Sequence, residues 1–464
     1  MIAVLRKLYV VDSFQLLLDG TPGTMVFVVV SGVHEGSCLS PLLFIFFIRG
    51  LPAYVKEVRG TDAPVINKSR VPILLYADDV TEMSLTENGL QVETDACVAF
   101  FLARDLEVNP GKSDLMCFVR PRSEFRTFAC RIGTVMKDAV HVVRYLGIYF
   151  DARGNWKQQK NIVIARAKVS LGRCKTIVNT IGRRDTKQLI TLFDSVVASV
   201  YRYGLGAWGP AAGNLKTIDS MFTDYVTWLY DFPRTTSKKG LLACFGRRCV
   251  RCDSLFLAAN QLAGAKSTSN PLWRELVDEF KGGQRKGKWF KLVTEELKER
   301  RMLEPVFNNG DDFLCQRKAK GVLFAKFCFH NHLNTLTGTS ADLFRKVQPS
   351  GVFPFLVFCS PNEGRHLFSF ILSNWRWIDK SVCRTYPRFC TRCQCDVNSW
   401  HILFECSLFE DLREFFWNKY DISFDFEAML VCTRLVSKGA ASIGRRIFER
   451  MISDVIEREG SEDV

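Results

Sequence analysis

Two adjacent carboxylates, Asp78 and Asp79, close the tetrapeptide Tyr76-Ala77-Asp78-Asp79, which lies between the mostly apolar runs 71–75 and 80–85. That pattern predicts a strand, a tight turn and a second strand. Neighbouring acids at a hairpin tip repel each other and stabilise neither strand. They become useful when a divalent cation sits between them and a phosphate, the chemistry of nucleotidyl transfer. Asp is also a common turn residue, so the pair has a plainer origin available. A second constellation lies near the C-terminus. Cys390, Cys393, His401 and Cys406 read C-x2-C-x7-H-x4-C. Three thiolates and an imidazole satisfy tetrahedral Zn2+ with no open position, which predicts a structural metal. Cys395 is a competing candidate ligand, and Arg384, Arg388 and Arg392 beside the site would face RNA or DNA.

Alternating strands and helices must position these groups. Residues 24–30 are β-branched and apolar on both faces and predict a strand buried on both sides. Ser40-Pro41 is a helix-start signal, with Ser capping free amides and Pro in the first turn. The helix that follows, Pro41 to about Val55, is apolar nearly all round and should be buried. Leu90, Cys97, Val98, Phe101, Leu102 and Leu106 fall at helical spacing. Asn109-Pro110-Gly111 should end that helix and turn into a strand over 114–119. Beyond Asp151, Ile164, Ala167, Leu171, Cys174, Val178 and Ile181 mark one face of a long helix. Trp- and Phe-rich helical segments fill 210–380, broken by a Gly/basic loop at 281–288, and one or two closing helices with an acidic tail occupy 411–464. Cys244, Cys249 and Cys252 have no suitably near fourth ligand and predict idle or buried thiols.

The chain has 464 residues, 47% of them hydrophobic, so it can build two or three domains with real cores. Its longest mostly apolar run, Leu39 to Ile48, is too short to span a membrane. Its start lacks a signal-peptide layout. The 17 cysteines are scattered and suggest reduced thiols in an intracellular setting, nuclear and cytoplasmic. A net charge of +14 points to an anionic partner, nucleic acid before membrane; a generally basic protein is the bland alternative. Between Arg153 and Lys187 stand ten Lys/Arg and one acid, Asp185. Arg166, Lys168, Arg173, Lys175, Arg183 and Arg184 are the candidate phosphate contacts of this basic helical stretch.

The Tyr76–Asp79 segment, together with Gly32-Val33-His34-Glu35-Gly36-Ser37 upstream, resembles the palm of reverse transcriptases of non-LTR (LINE-type) retrotransposons. The resemblance continues in order through Val108-Asn109-Pro110-Gly111-Lys112-Ser113, Arg144-Tyr145-Leu146-Gly147-Ile148, Tyr203-Gly204-Leu205-Gly206-Ala207-Trp208-Gly209 and the terminal Cys/His cluster, which resembles the family's zinc knuckle. It implies an α+β fold. A partial right-hand polymerase palm (1–150) would be followed by a helical basic thumb (151–210), a helical connector (211–382), a CCHC-type knuckle (383–410) and C-terminal helices with a tail (411–464). It also implies an RNA template, a DNA primer, and Mg2+ or Mn2+ held by Asp78 and Asp79. Lys112 would act at the leaving pyrophosphate, and Gly32, Glu35, Gly36 and Tyr76 would lie near the substrate.

Two departures stand out. The family takes a further catalytic carboxylate from an earlier strand, for which no counterpart is expected here because Asp12 and Asp19 stand in the wrong context, and the fingers are expected to be missing too. Glu35 replaces a usual Gln, and an ionised Glu would repel a triphosphate. The expectation is an N-terminally truncated polymerase, inactive alone, with a decayed or co-opted nucleic-acid-binding protein as the alternative.

Overall fold

A computed structural model of the chain describes residues 13–19, 21–28, 32–33, 37–120, 123–125, 127–183, 185–268, 270–282, 287–299, 359–371, 386–424 and 434–462. The chain divides into two compact units at His141/Val142, inside the stretch expected to form one palm segment. Helices and antiparallel strand pairs are mixed in an α+β arrangement. Among the described residues every sheet is a two-stranded ribbon.

In the first unit, Ser13–Leu18 pairs with Thr21–Val28, and two helices follow, Ser40–Ile48 and Leu51–Glu57. Next come the short ribbon Val65–Ile66 with Ser69–Arg70, the hairpin Ile73–Tyr76 with Asp79–Glu82, and the helix Glu87–Leu102. A turn of 3-10 helix at Pro110–Lys112 precedes the pair Ala129–Ile132 and Val135–Asp138. Thr86 starts the Glu87–Leu102 helix by accepting from the Gly89 N–H (3.1 Å), which satisfies an otherwise orphaned donor. Gly89 is small for a reason: a Cβ there would collide with the Asp62 carboxylate. The core joins the two short helices to this helix and the hairpin through Ile48, Leu51, Val55, Ile73, Cys97 and Phe100.

Three expectations for this unit are corrected. The strand within 24–30 exists, but Met25 and Val26 are exposed, because its ribbon pairs with one strand only and no described layer covers it. The apolar helix expected from Pro41 to Val55 is two helices broken at Arg49-Gly50, with Pro52 restarting the second. Its outer side chains Leu42, Ile45, Phe46 and Phe47 lie exposed, and Ser40 is the first helical residue, so the cap position falls on Leu39. The later helix ends at Leu102, ahead of Asn109-Pro110-Gly111, and the strand expected over 114–119 is reduced to one bridge, Leu115 with Ala139. Arg104 stacks on Phe100 and holds its carbonyl at 3.0 Å, an interaction that closes the helix early.

The second unit begins with Val142–Tyr145 paired to Ile148–Asp151. Leu146 and Gly147 are the two central turn residues, both at positive φ, the twist-matched hairpin turn. The segment 144–148, part of the resemblance above, is therefore the end of a hairpin, with the turn at Leu146-Gly147. The long helix is Lys157–Ile181, and Ala167, Cys174 and Val178 on its expected apolar face are buried, while Ile181 at its end is exposed. Thr186–Phe193, Lys216–Leu229 and Val250–Ser267 pack as further helices. Gly204 turns the chain at φ +61 between them, where a Cβ would lie 2.6 Å from Ile148 Cδ1. The helices Pro271–Gly282 and Lys288–Glu299 flank the Gly/basic break, and Glu410–Tyr420 and Arg434–Glu462 are the closing pair. Trp208, Tyr225, Phe193, Phe370 and Phe409 lie fully buried in this unit. Most of 301–382 lies outside the described residues.

One buried acid in the first unit has a consequence for stability. Glu93 is buried with neither carboxylate oxygen hydrogen-bonded. Burial first, then the charges of Glu82 and Asp62, push it from 4.5 up to about 8, with Arg70 opposing. The folded chain thus keeps a proton that the unfolded chain releases, so stability is full in acid and falls as pH rises from about 5 to 8. Burial raises Glu82 in the same sense. Glu93→Gln keeps the shape without ionising. The urea midpoint of this unit, followed by labelling of the buried Cys97 thiol, is expected to drop with pH in the parent and to stay more level in the variant. Equal slopes in the two proteins would contradict the assignment.

Candidate functional site

The register of the Ile73–Glu82 hairpin decides where its carboxylates point. Ile73 pairs with Glu82, Leu74 with Thr81, Leu75 with Val80 and Tyr76 with Asp79, leaving Ala77-Asp78 as a two-residue turn. Side chains alternate across a strand, so Ile73, Leu75, Val80 and Glu82 share one face. That face packs on the core, which explains both the buried Ile73 and the half-buried Glu82, whose carboxyl burial pushes up. Thr94 on the neighbouring helix donates to Glu82 Oε2 at 2.6 Å and ties the hairpin to it. Tyr76 and Asp79 fall on the opposite face, with Tyr76 63% exposed and Asp79 exposed beside it. Asp78 is exposed at the turn, after Ala77 at φ +52, a left-handed conformation that costs a non-glycine residue about 1 kcal/mol.

Neither Asp78 nor Asp79 is paired with a basic side chain among the described residues. Water-exposed, unpaired carboxylates suit Mg2+, which keeps several waters and takes one or two carboxylates together with substrate phosphates. The hairpin could hold such an ion, or Mn2+, and its charge would then be available to phosphate oxygens. Clusters of three or more metal-ligating side chains occur at one place among the described residues, and it is not this hairpin. Lys112 is exposed in its 3-10 turn, which Asn109 caps by accepting from the Gly111 N–H at 2.9 Å. No hydrogen bond joins Lys112 to Asp78 or Asp79 among the described residues. Gly32 is exposed at φ +100, and Glu35 and Gly36 lie outside the described residues.

The basic candidates fall into groups that sequence did not separate. Lys168 and Arg173 are exposed and without an ion pair among the described residues. Arg166 donates to Tyr149 Oη at 3.1 Å. Lys175 and Arg183 instead lie over the Trp228 ring, at 5.2 and 4.5 Å, and Arg183 also pairs with Asp231 at 3.0 Å. These two cations are partly committed to holding the helix on its neighbour. Arg184 lies outside the described residues.

Cys390, Cys393, His401 and Cys406 bring one ligand atom each within 4.8 Å of one another. Phe389–Cys390 pairs with Cys395–Asp396 in a tight hairpin that carries the first two thiols. Gln394, at φ +56, closes the turn by donating from its N–H to the Cys390 carbonyl at 2.8 Å. His401–Glu405 forms one turn of π-helix, closed by the Cys406 N–H on the His401 carbonyl at 2.6 Å, and so delivers His401 and Cys406 together. Ser407 donates its N–H to Cys393 Sγ at 3.4 Å, and its hydrogen bonds hold that thiol below the usual range. Burial lowers His401, keeping the imidazole neutral as a metal requires. Cys395 Sγ sits 3.2 Å from His401 Nδ1, while His401 Nε2 is buried with no partner. A tetrahedral Zn2+ fits this donor set, with Nε2 the nitrogen left to hold it. Cys395 is then the group that orients the ring, a role its sequence position did not reveal. The reduced chain is expected to take up about one Zn2+ or Co2+. The Co2+ absorption should report three thiolates both in the parent and in Cys395→Ser. Loss of a thiolate band in Cys395→Ser, or no uptake at all, would contradict this ligand set.

Comparison with known proteins bears on the first of these sites. Residues 4–150 match the family model described as reverse transcriptase (RNA-dependent DNA polymerase). A probable RNA-directed DNA polymerase from transposon BS of Drosophila melanogaster is 25% identical over 188 residues, 39% of this chain and 20% of that protein. A probable RNA-directed DNA polymerase from transposon X-element of the same organism is 23% identical over 220 residues, 45% of this chain and 23% of that protein. The chain thus spans about a fifth of the length of these curated relatives. The resemblance to reverse transcriptases of non-LTR retrotransposons is borne out over residues 4–150.

Proposed function

We propose that this chain serves RNA-directed DNA synthesis, with the Ile73–Glu82 hairpin as the metal-holding turn of a reverse transcriptase palm. The observation that carries the reading is the hairpin register, which sets Tyr76 and Asp79 together on the solvent face beside Asp78 while the opposite face is anchored in the core. In this reading Asp78 is a direct ligand of Mg2+, Asp79 supports the ion, and Lys112 faces the leaving pyrophosphate. The Lys157–Ile181 helix is the thumb element that grips backbone phosphates, residues 211–382 form a connector, and the Cys/His centre is a structural zinc knuckle. The partners are an RNA template and a DNA primer. The match over residues 4–150 supports the polymerase reading. The exposed Lys168 and Arg173 support nucleic-acid binding whether or not catalysis follows, which keeps the non-enzymatic alternative in view.

Binding to an RNA-template/DNA-primer hybrid is expected to weaken steeply with salt, because each neutralised phosphate releases counterions. Lys168→Glu with Arg173→Glu should lower affinity by roughly tenfold or more and flatten the salt slope by about two contacts. Affinity that holds constant across a several-fold change in salt would contradict the thumb assignment.

Catalysis is a separate matter. Among the described residues no third carboxylate joins the hairpin pair, and nucleotidyl transfer by two metals needs more ligands than those two. The chain by itself is therefore expected to bind the hybrid without extending the primer in Mg2+ or Mn2+. Robust extension that vanishes in Asp78→Ala would show that the chain carries a complete catalytic set.

A further inference from the structure

Beneath the Ile73–Glu82 hairpin, at the end away from its turn, two carboxyl groups feel each other's charge. Glu82 is the last residue of the strand that carries Asp79, and Thr94 donates to its Oε2 at 2.6 Å. The Cys97 thiol bonds it as well. Glu93, the neighbour of Thr94 on the Glu87–Leu102 helix, is wholly buried, and neither of its oxygens has a hydrogen-bond partner. One acid is supplied with donors and the other with none. Burying a charged carboxylate without a donor or a cation is too costly, so Glu93 holds a proton in the folded unit. The groups around it do not relieve it. Arg70 faces Glu93 but gives its guanidinium to the Thr61 carbonyl and, at 3.0 Å, to Thr61 Oγ1. Asp62 adds negative charge and is itself bonded to Ser84. Arg131, on the Ala129–Ile132 strand, is paired with Asp95 at 3.3 Å. The buried Cys130 thiol beside Thr94 stays protonated, because burial pushes it up.

The hairpin is placed to respond to that proton. Its two short strands pair only with each other among the described residues, so its hold on the unit comes from one face. A two-stranded ribbon alone is marginal in water. Glu82 closes that face, opposite Ile73 in register, on the same short strand as Asp79. Ionising Glu93 would set two like charges under that end while the facing cations are engaged elsewhere. The helix carrying Glu93 is fixed through the buried Ala96, Cys97, Phe100 and Phe101. The strand end is therefore the part that can lift and let water reach both acids.

We propose that Glu82, Thr94 and Glu93 form a proton-held latch: while the acid pair keeps its proton the Asp79 strand is seated on the helix, and when the proton leaves the strand end lifts and the turn carrying Asp78 and Asp79 loosens. Burial, then the Glu82 charge, raises Glu93 from 4.5 to about 8, so the latch is at full strength below the lower value and is lost as pH climbs to the upper one. The latch stands on the packing of the first unit. Its consequence, weaker divalent-cation binding at the turn as pH rises, rests on the metal-holding reading above. That sign is opposite to an ordinary carboxylate site, where protons compete with the metal and affinity grows with pH.

The test is methyl NMR of the full chain with the Ala77 methyl isotopically labelled, first without metal, from about pH 6 to about pH 8, the upper part of the range set by Glu93. In the parent the Ala77 signal is expected to move as pH rises. It should hold level in Glu93→Gln and sit near the parent's high-pH position throughout in Thr94→Val, with Thr94→Ser restoring the parent profile. Mn2+ affinity of the same proteins should fall roughly fivefold across the range in the parent, the net worth of one hydrogen bond, and stay level in Glu93→Gln. A level Ala77 signal in the parent, or equal profiles in the parent and Glu93→Gln, would overturn the latch. Should Glu93→Gln fail to fold, a Thr94→Val profile equal to the parent's would overturn it instead. An Ala77 signal that follows pH without metal, in a chain that binds no Mn2+ at any pH, would support the latch and overturn the metal-holding reading.

Discussion

The candidate polymerase site depends on one packing constraint: the inner face of the Ile73–Glu82 hairpin is held on the Glu87–Leu102 helix. Ile73, Leu75 and Val80 meet Cys97, Phe100 and Phe101 there, and the Thr94–Glu82 bond fixes the end of the second strand. Because strand side chains alternate, anchoring one face commits the other to solvent. Tyr76 and Asp79 face water for that reason, and a one-residue slip of register would bury Asp79 and expose Leu75 and Val80. Substituting Phe100 or Phe101 by Ala removes a support worth about 3–5 kcal/mol and should loosen the hairpin before it touches any carboxylate.

The second unit solves a different problem, holding basic side chains near one another against their repulsion. Trp228 takes up Lys175 and Arg183, and Asp194 and Asp253 take up Arg202, Arg247 and Arg248. Lys168, Arg173 and Arg144 have no such partner among the described residues and are exposed, so a polyanion could meet them. The Cys/His centre belongs to the same unit through its packing, since Ile402, Leu403, Cys406 and Phe409 are part of the unit's main core. A metal there would pin the core from its edge, and loss of the metal would free more than the Cys/His segment itself.

Local chemistry was the most legible part of the sequence. The Tyr-Ala-Asp-Asp hairpin, the long amphipathic helix and the C-x2-C-x7-H-x4-C cluster all rest on spacing within a few residues or turns, which is what a sequence states directly. Burial was less legible. The Thr21–Val28 strand and the Ser40–Ile48 helix carry apolar side chains suited to an interior, yet Met25, Val26, Leu42, Ile45, Phe46 and Phe47 lie exposed, because burial depends on partners distant in sequence or beyond the described residues. The Leu-Gly turn of the 142–151 hairpin was missed, although Gly147 was visible as a turn signal. The partnering of Lys175 and Arg183 with Trp228, the unpaired Glu93 and the Cys395–His401 contact are tertiary facts with no local signature.

The proposed divalent-cation site at Asp78 and Asp79, on an anchored turn, can be tested directly. Ala77 sits at its tip, so its methyl group is a reporter. With that methyl isotopically labelled, Mn2+ titration followed by methyl NMR is predicted to broaden the Ala77 signal selectively at low metal, and Asp78→Asn with Asp79→Asn to abolish the effect. An Ala77 signal that stays sharp while methyls elsewhere broaden, or broadening that survives the double substitution, would contradict the account.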